Sequence, residues 1–338
     1  MSDPRPDARR GARRGGRRTT TATTTSSSSA ARTRSRSSWV RELLRQPGGL
    51  FGVIVLGIVV LTAALSYLWT PYDPAVADPF NKWLPPSFTH LLGTDAVGRD
   101  IFSLIIVGAR VTVAVAVGSA IVSTVIGIAL AALGSLTRRW VRESVAVLID
   151  ILIAFPTLLI AMMLASVFGG SLWVVIWAVG ISFGVNIGRV TRPEIRRVSN
   201  SEYVLAGRAA GLGGFRNLTT HLLPNIAPVF IVQLSWAMAV AVLAEAGLSY
   251  LGYGAPSTVP SWGRMLSELQ TYLAVHPLTV LWPGLAITVT VLGLNVLGDA
   301  LRDATDPTLG RRQASDAVAP TPADATVSTP TSPQGVTS

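Results

Sequence analysis

The chain has 338 residues, of which 49% are hydrophobic and 14% are charged, and its mean hydropathy is +0.48. This composition excludes an ordinary soluble domain and is typical of a membrane protein. The formal net charge of +10 comes almost wholly from arginine, since Lys82 is the only lysine. Cysteine is absent, which excludes disulfides, thiolate catalysis and cysteine metal sites.

The two ends of the chain lack any core-forming pattern. Residues 1–38 are mainly arginine, threonine and serine, and residues 307–338 are mainly proline, threonine, alanine and serine. Such segments cannot bury enough apolar surface to offset the entropy lost on ordering, so both are predicted to be disordered tails. The paired arginines at positions 9–10 and 13–14 suggest a twin-arginine signal. The apolar run that starts near Leu50 is too distant and lacks a convincing cleavage site, so an uncleaved first span is favoured.

Six apolar segments lie between the tails, and each approaches the length of about 20 residues that a membrane-crossing helix needs. They predict an all-α, polytopic membrane protein with six transmembrane helices. In the third segment Pro156 removes one backbone hydrogen bond and is predicted to kink the helix, and kinked spans either line gates or are static. The segments are 50–69, 111–133 (extended backward toward residue 102), 145–168, 171–187, 226–248 and 278–297.

The arginines between these segments predict the orientation of the chain. Arginine is concentrated in residues 1–38, 138–142 and 189–216, which all fall on one side of the membrane. Residues 71–100 and 249–277, on the other side, contain more acids than arginines. Because cytoplasmic loops carry an excess of positive residues, both termini are predicted to be cytoplasmic, with the protein in the plasma (inner) membrane.

A polar stretch, residues 200–224, separates the fourth and fifth apolar segments. Asn200 or Ser201 can cap a first short helix, and Glu202 in its first turn suits the positive end of the helix dipole. Gly211 is predicted to stop this helix with a positive φ. A second helix over residues 215–223 is predicted to end at Pro224.

Three interpretations of this stretch are open from the residues alone. The first helix is rich in alanine and glycine, so its surface is smooth and suits close docking of another protein. A solvated loop between membrane helices is the plainer alternative. A DNA-binding helix-turn-helix with Arg208 and Arg216 beside the turn is disfavoured because membrane spans tether both ends, and no nucleic-acid partner is expected.

The segment YVLAGRAAGL…HLLPN resembles the cytoplasmic EAA loop of the permeases of ATP-binding-cassette (ABC) importers. Leu205, Ala206 and Gly207 occupy the E-A-A positions, Gly211 is the motif glycine, and a leucine-proline pair closes the motif. Leucine replaces the motif glutamate here. The resemblance implies contact with an ATPase through Glu202, Tyr203, Leu205, Ala206, Gly207, Arg208, Gly211, Leu223 and Pro224.

Further segments, 91–110, 244–268 and LGDALRDATDPTL near the end, resemble the C-type permease subunit of dipeptide and oligopeptide importers. The resemblance covers residues from about 39 to 309 and implies the type I ABC-importer permease fold. In that fold residues 39–100 hold the first span and an extracytoplasmic segment, and residues 101–306 form the core. The implied partners are a second homologous permease subunit, two cytoplasmic ATPases that bind ATP and magnesium, an extracytoplasmic binding protein, and membrane lipid. Peptides are the default substrate, with nickel and glutathione as alternatives.

Residues 93–100 superficially match a phosphate-binding P-loop, G-x(4)-G-K-[ST]. Arg99 replaces the lysine, and Asp100 replaces the hydroxyl that binds metal, so the match is rejected. The three histidines are too scattered for a metal site, and no nucleophile and base come together. The chain is therefore expected to have no catalytic residues, no metal site and no cofactor of its own.

Acidic residues within apolar segments are the remaining signal, because an acid at mid-bilayer costs about 2.5–3.5 kcal/mol. Asp150 and Asp299 are interpreted as interfacial. Glu245, among small neighbours near the outer end of the fifth segment, is a candidate for the translocation pathway or outer gate, with structural hydrogen bonding as the alternative. A channel, membrane enzyme or secondary transporter is the second functional class. A secondary transporter usually has charged or broken-helix pairs in repeated halves, and the sequence has neither.

Overall fold

The computed structural model describes residues 37–136 and 139–305, so the predicted tails lie outside the described residues except for positions 37 and 38. The described chain is helical, with one isolated β-bridge between Thr94 and Asp100. The helices are α1 Ser37–Arg45, α2 Pro47–Leu65, α3 Ile101–Leu136, α4 Arg139–Ile153, α5 Thr157–Phe168, α6 Leu172–Ser199, α7 Glu202–Ala209, α8 Gly214–Asn217, α9 Leu223–Tyr250, α10 Trp262–Leu269 and α11 Pro277–Thr305.

Among the described helices, five runs are long and apolar enough to cross a membrane: α2, α3, α6, α11 and the continuous run Leu218–Tyr250 that includes α9. The pair α4 and α5 also qualifies when taken together, which gives up to six spans. The prediction of an all-α polytopic membrane protein is confirmed.

The third predicted segment is broken rather than gently kinked, with an angle of 81° between α4 and α5. Helix α4 ends in tightened turns, in which Ala154 N–H donates to the Ile151 carbonyl and Phe155 N–H to that of Leu152. Pro156 follows in an extended conformation, with φ −59° and ψ 128°, and caps α5. A proline has no N–H with which to continue α4, so the predicted position of the kink is confirmed.

The centre of the bundle is the contact between α3 and α6, where small residues let two helices approach closely. A methyl group placed on Gly180, Gly184 or Gly188 of α6 would lie 2.5, 2.6 or 2.9 Å from the Cβ of a residue of α3. The Ser123 hydroxyl of α3 also donates a hydrogen bond of 3.0 Å to the Gly180 carbonyl. Packing at this distance replaces the hydrophobic driving force that is missing between helices in lipid.

The start of α9 differs from the prediction that a helix over 215–223 ends at Pro224. Helix α8 passes through the π-helical turn Leu218–Leu222 directly into α9, and Pro224 lies in the first turn of α9. The prediction was wrong because a proline is tolerated in the first turn of a helix, where its missing N–H needs no partner. The polar stretch therefore leads without a break into the next span.

Candidate functional site

The polar stretch 200–224 is held against one end of the bundle by an apolar cluster. Val204 of α7 is fully buried and belongs to one cluster with Leu222 of the π turn and Ile226 of α9. Val198, at the end of α6, completes this support. Through this cluster α7 packs against two membrane-spanning runs, α6 and Leu218–Tyr250.

The opposite face of α7 is exposed and small or apolar. Tyr203 and Leu205 are 47% and 49% exposed, and Ala206 is exposed beside them. Gly207 does not belong to this face, because a Cβ there would lie 2.9 Å from the Leu212 side chain. The exposed face therefore carries two large side chains beside the small Ala206, and Gly207 serves the internal packing of the loop instead.

The other residues predicted for this contact lie around that face. Glu202 and Pro224 are exposed, and Leu223 is half-buried against the apolar cluster. The backbone of Arg208 belongs to α7, and its side chain lies outside the described part of the chain. The structure thus brings most of these positions to one end of the bundle.

Gly211 ends the turn after α7 in the predicted conformation. Its φ is +81°, and no heavy atom lies within 4 Å of the place that a Cβ would take. The Leu212 N–H donates to the Gly207 carbonyl at 3.0 Å and closes the turn. A side chain at this position would strain the backbone by about 1 kcal/mol or more and would project into open space.

The start of α7 is organised by the backbone of Ser201. Its carbonyl accepts hydrogen bonds from the N–H groups of Val204 and Leu205 at 3.1 and 3.0 Å. The Ser201 hydroxyl donates backward to the Val198 carbonyl at 2.6 Å, instead of following the predicted side-chain cap. This bond fixes the turn between α6 and α7.

Glu245 is the most buried acid of the described chain, at 1% exposure. Its carboxylate accepts a hydrogen bond of 2.6 Å from the Ser249 hydroxyl. Ser249 in turn accepts from the Ala255 N–H at 2.9 Å. Through Ser249, Glu245 is therefore linked to the outer loop, which is the structural hydrogen bonding given above as the alternative.

A network of charges lies at the same end of the molecule as Glu245. Arg99 donates to Asp95 at 2.7 Å and to Glu268 at 2.8 Å, and Arg264 reaches Glu268 at 3.1 Å. Burial alone would lower the pKa of Arg99, but hydrogen bonding to Glu268 and the charge of Asp95 raise it above its ordinary value. The network lines a cleft of about 320 Å³ beside residues 257–261.

The stretch that superficially matched a P-loop has a structural role in this segment. The Asp100 carboxylate caps α3, accepting from the Ser103 N–H at 2.8 Å and the Ser103 hydroxyl at 2.7 Å. His90 bonds to the other oxygen of Asp100 at 3.0 Å and stacks on Tyr72. The acid in place of the metal-binding hydroxyl is thus explained by helix capping.

Sequence reasoning missed the link between Arg99 and Glu268. The spacing of four residues from Asp95 to Arg99, and again from Arg264 to Glu268, signals each local pair. The bond between the two pairs joins residues 169 positions apart, which no local spacing reveals. Asp150 and Asp299, predicted to be interfacial, are exposed.

The described chain is a polytopic helical bundle with a supported polar loop at one end and an ion-paired segment at the other. The family model described as "Binding-protein-dependent transport system inner membrane component" matches residues 123–311. The chain belongs to this family, whose members are the permease subunits of ABC transporters.

Curated relatives extend the similarity over most of the chain. The dipeptide transport system permease protein DppC of Alkalihalophilus pseudofirmus is 34% identical over 267 residues, which cover 79% of this chain and 88% of that protein. The oligopeptide transport system permease protein OppC of Bacillus subtilis is 34% identical, with 82% and 92% covered. A probable peptide ABC transporter permease protein of Sinorhizobium fredii is 37% identical, with 81% and 94% covered. The predicted family and permease class are confirmed.

Proposed function

We propose that this chain forms part of the path by which di- or oligopeptides cross the plasma membrane after delivery by an extracytoplasmic binding protein. The relatives named for dipeptide and oligopeptide transport support the substrate class. The chain would act with a second homologous permease and two cytoplasmic ATPases, which bind ATP and magnesium. Both termini would lie in the cytoplasm, as the arginine distribution predicts.

The observation that carries this proposal is the exposed face of α7 on its buried support. An ATPase in the cytosol needs a surface on the permease through which its own movement is transmitted. Tyr203, Leu205 and Ala206 offer such a surface, and Val204 on the opposite face of the same helix belongs to the apolar cluster that reaches α6 and α9. Leu205 stands at the motif's acidic position, so apolar contact replaces the salt bridge that a glutamate would form there.

Crosslinking tests the contact, because the chain has no cysteine of its own. A single cysteine in place of Ala206 should form crosslinks to an ATPase subunit in membranes that contain the whole transporter. A cysteine in place of Ser257, which is exposed at the outer cleft, is the matched control and should form none. Crosslinks from Ser257→Cys but not Ala206→Cys would overturn the proposed arrangement.

The substrate requires a separate measurement of uptake in cells that lack the chromosomal copy of this chain. We expect accumulation of a labelled dipeptide or oligopeptide to depend on the restored chain. Nickel and labelled glutathione serve as the competing substrates. If only nickel or only glutathione uptake is restored, the importer class stands and the peptide assignment is wrong.

A further inference from the structure

Three arginines line a cleft between α3, α4 and α6. Arg142 belongs to the first turns of α4, and Arg192 and Arg196 lie one turn apart in α6. The rest of the lining is small or apolar and includes Leu130 of α3 and Ile149 of α4. The cleft thus combines a cationic rim with an aliphatic floor.

These arginines differ from their neighbours in having no acidic partner. Within residues 37–136 and 139–305, the ion pairs of α4 and α6 are Arg139 with Glu143 and Arg197 with Glu194. The side chains of the three cleft arginines form no ion pair or hydrogen bond with any described residue. Arg142 and Arg192 are half-buried and Arg196 is exposed beside them. Like charges around one cleft repel one another, so a bound anion would stabilise the arrangement.

Phosphate is the anion that guanidinium groups bind best in this geometry, because each arginine offers two parallel N–H donors. The cleft has a volume of about 20 Å³, which admits one group of about the size of a water molecule, such as a phosphate oxygen. The bulk of a larger ligand must therefore remain at the surface of the bundle.

The surface beside the cleft indicates what that larger ligand is. Leu152, further along α4 on the side that bears Val145 and Ile149, is 37% exposed and continues the apolar surface into the membrane-crossing part of the pair α4 and α5. Basic pockets between transmembrane helices at a membrane surface bind anionic lipid headgroups. An acidic protein segment would gain nothing from this apolar continuation.

We propose that the cleft formed by Arg142, Arg192 and Arg196 binds the phosphate of an anionic phospholipid whose acyl chains lie along α4. This site goes beyond the proposed transport function. It requires only that the arginine-bearing ends of α4 and α6 lie at the membrane surface. The lipid would hold the start of α4 against α6 close to the polar stretch 200–224.

The test compares two double variants of the full chain in the purified transport complex. Arg142→Gln with Arg192→Gln removes one cleft charge from each of α4 and α6. Arg139→Gln with Arg197→Gln removes one paired, exposed charge from each of the same helices and is the matched control. Native mass spectrometry then measures the binding of phosphatidylglycerol and, separately, of phosphatidylcholine.

We expect the wild-type complex to retain phosphatidylglycerol in preference to phosphatidylcholine. The cleft variant should lose affinity for phosphatidylglycerol about 30-fold, since each arginine near an anionic lipid contributes about 1 kcal/mol. The control should stay within about threefold of wild type. If the double cleft variant does not accumulate, Arg192→Gln alone serves, with an expected loss of about fivefold.

Three results would each overturn the proposal. Equal losses in the two double variants would mean that general surface charge, not the cleft, attracts the lipid. Protection of the cleft arginines from phenylglyoxal by millimolar inorganic phosphate, but not by phosphatidylglycerol vesicles, would mean that the site takes a soluble anion. Loss of ATPase co-purification with unchanged lipid binding would mean that the arginines contact the partner ATPase.

Discussion

Replacement of Glu245 distinguishes a structural role of this acid from a role in the translocation pathway. Glutamine keeps one oxygen that can accept the hydrogen bond from the Ser249 hydroxyl. Since this bond is kept, we expect Glu245→Gln to change the free energy of unfolding by about 1 kcal/mol or less.

Leucine at the same position cannot accept the hydrogen bond from the Ser249 hydroxyl. The Ser249 hydroxyl loses its buried acceptor, which costs about 1–3 kcal/mol, so Glu245→Leu should cost about 1–3 kcal/mol. The loss of stability should appear first as faster proteolysis of the outer loop between α9 and α10. Ser249, which Glu245 holds in place, accepts a hydrogen bond from the Ala255 N–H of that loop. Thermal inactivation in detergent and proteolysis of the outer loop measure the effect in the same preparations.

Ser249→Ala is the internal comparison, since it removes the donor to Glu245 and the acceptor of the Ala255 N–H while leaving the acid in place. Its effect and that of Glu245→Leu should add to less than their sum in the double variant, because both remove the bond between Ser249 and Glu245. A Glu245→Gln protein with wild-type stability and loop protection but no peptide uptake would refute the structural account. That result would place the carboxylate in the translocation pathway.

Two further predictions concern the topology and the packing of the bundle. An impermeant reagent added outside the cell should label a single cysteine in place of Ser257 but not one in place of Ser199. The reverse pattern would invert the orientation. Gly184→Leu should lower the free energy of unfolding of the purified protein by about 1–3 kcal/mol, because the larger side chain overpacks against α3. Gly134 has open space around it, so Gly134→Leu is the control and should not lower the free energy of unfolding. Equal stability of the two variants would contradict the close helix contact.

The helices of this protein could be predicted well from the sequence because lipid imposes a simple rule on apolar length. Each predicted segment matches a helix or the broken pair, and Pro156 marked the break. Gly211 could be predicted as well, because a positive φ after a short helix is a local requirement that glycine meets at little cost. These features depend on a few neighbouring residues.

The start of α9 could not be predicted from the proline alone, because proline has opposite meanings in the first turn and in the middle of a helix. A signal was present: Leu218, Leu222 and Ile226 recur every four residues across Pro224 and are all buried. That spacing indicates one helical face that continues past the proline.

In the candidate site, too, some features could be predicted from neighbouring residues and others depend on tertiary packing. The exposed position of Ala206 fits the alanine pattern of α7, but the inward position of Gly207 depends on Leu212 folding back across the turn. The arginine cleft was missed because its members come from separate helices. Only the packing of α4 against α6 brings Arg142 near Arg192.

The central claim is that the exposed face of α7 couples this subunit to its ATPases, and Gly211→Leu tests it most directly. The substitution adds a bulky side chain and backbone strain where φ is +81°, in open space outside the apolar cluster. Gly213→Leu is the matched control, because Gly213 also has open space around it but no positive φ.

The measurement is the ratio of co-purified ATPase to permease, taken with peptide uptake and membrane protein level in the same cells. We predict that Gly211→Leu reaches the wild-type level in the membrane, loses most of its ATPase and transports little. Gly213→Leu should retain more of both. Normal uptake and a normal ATPase ratio for Gly211→Leu at normal expression would contradict the coupling role of the loop.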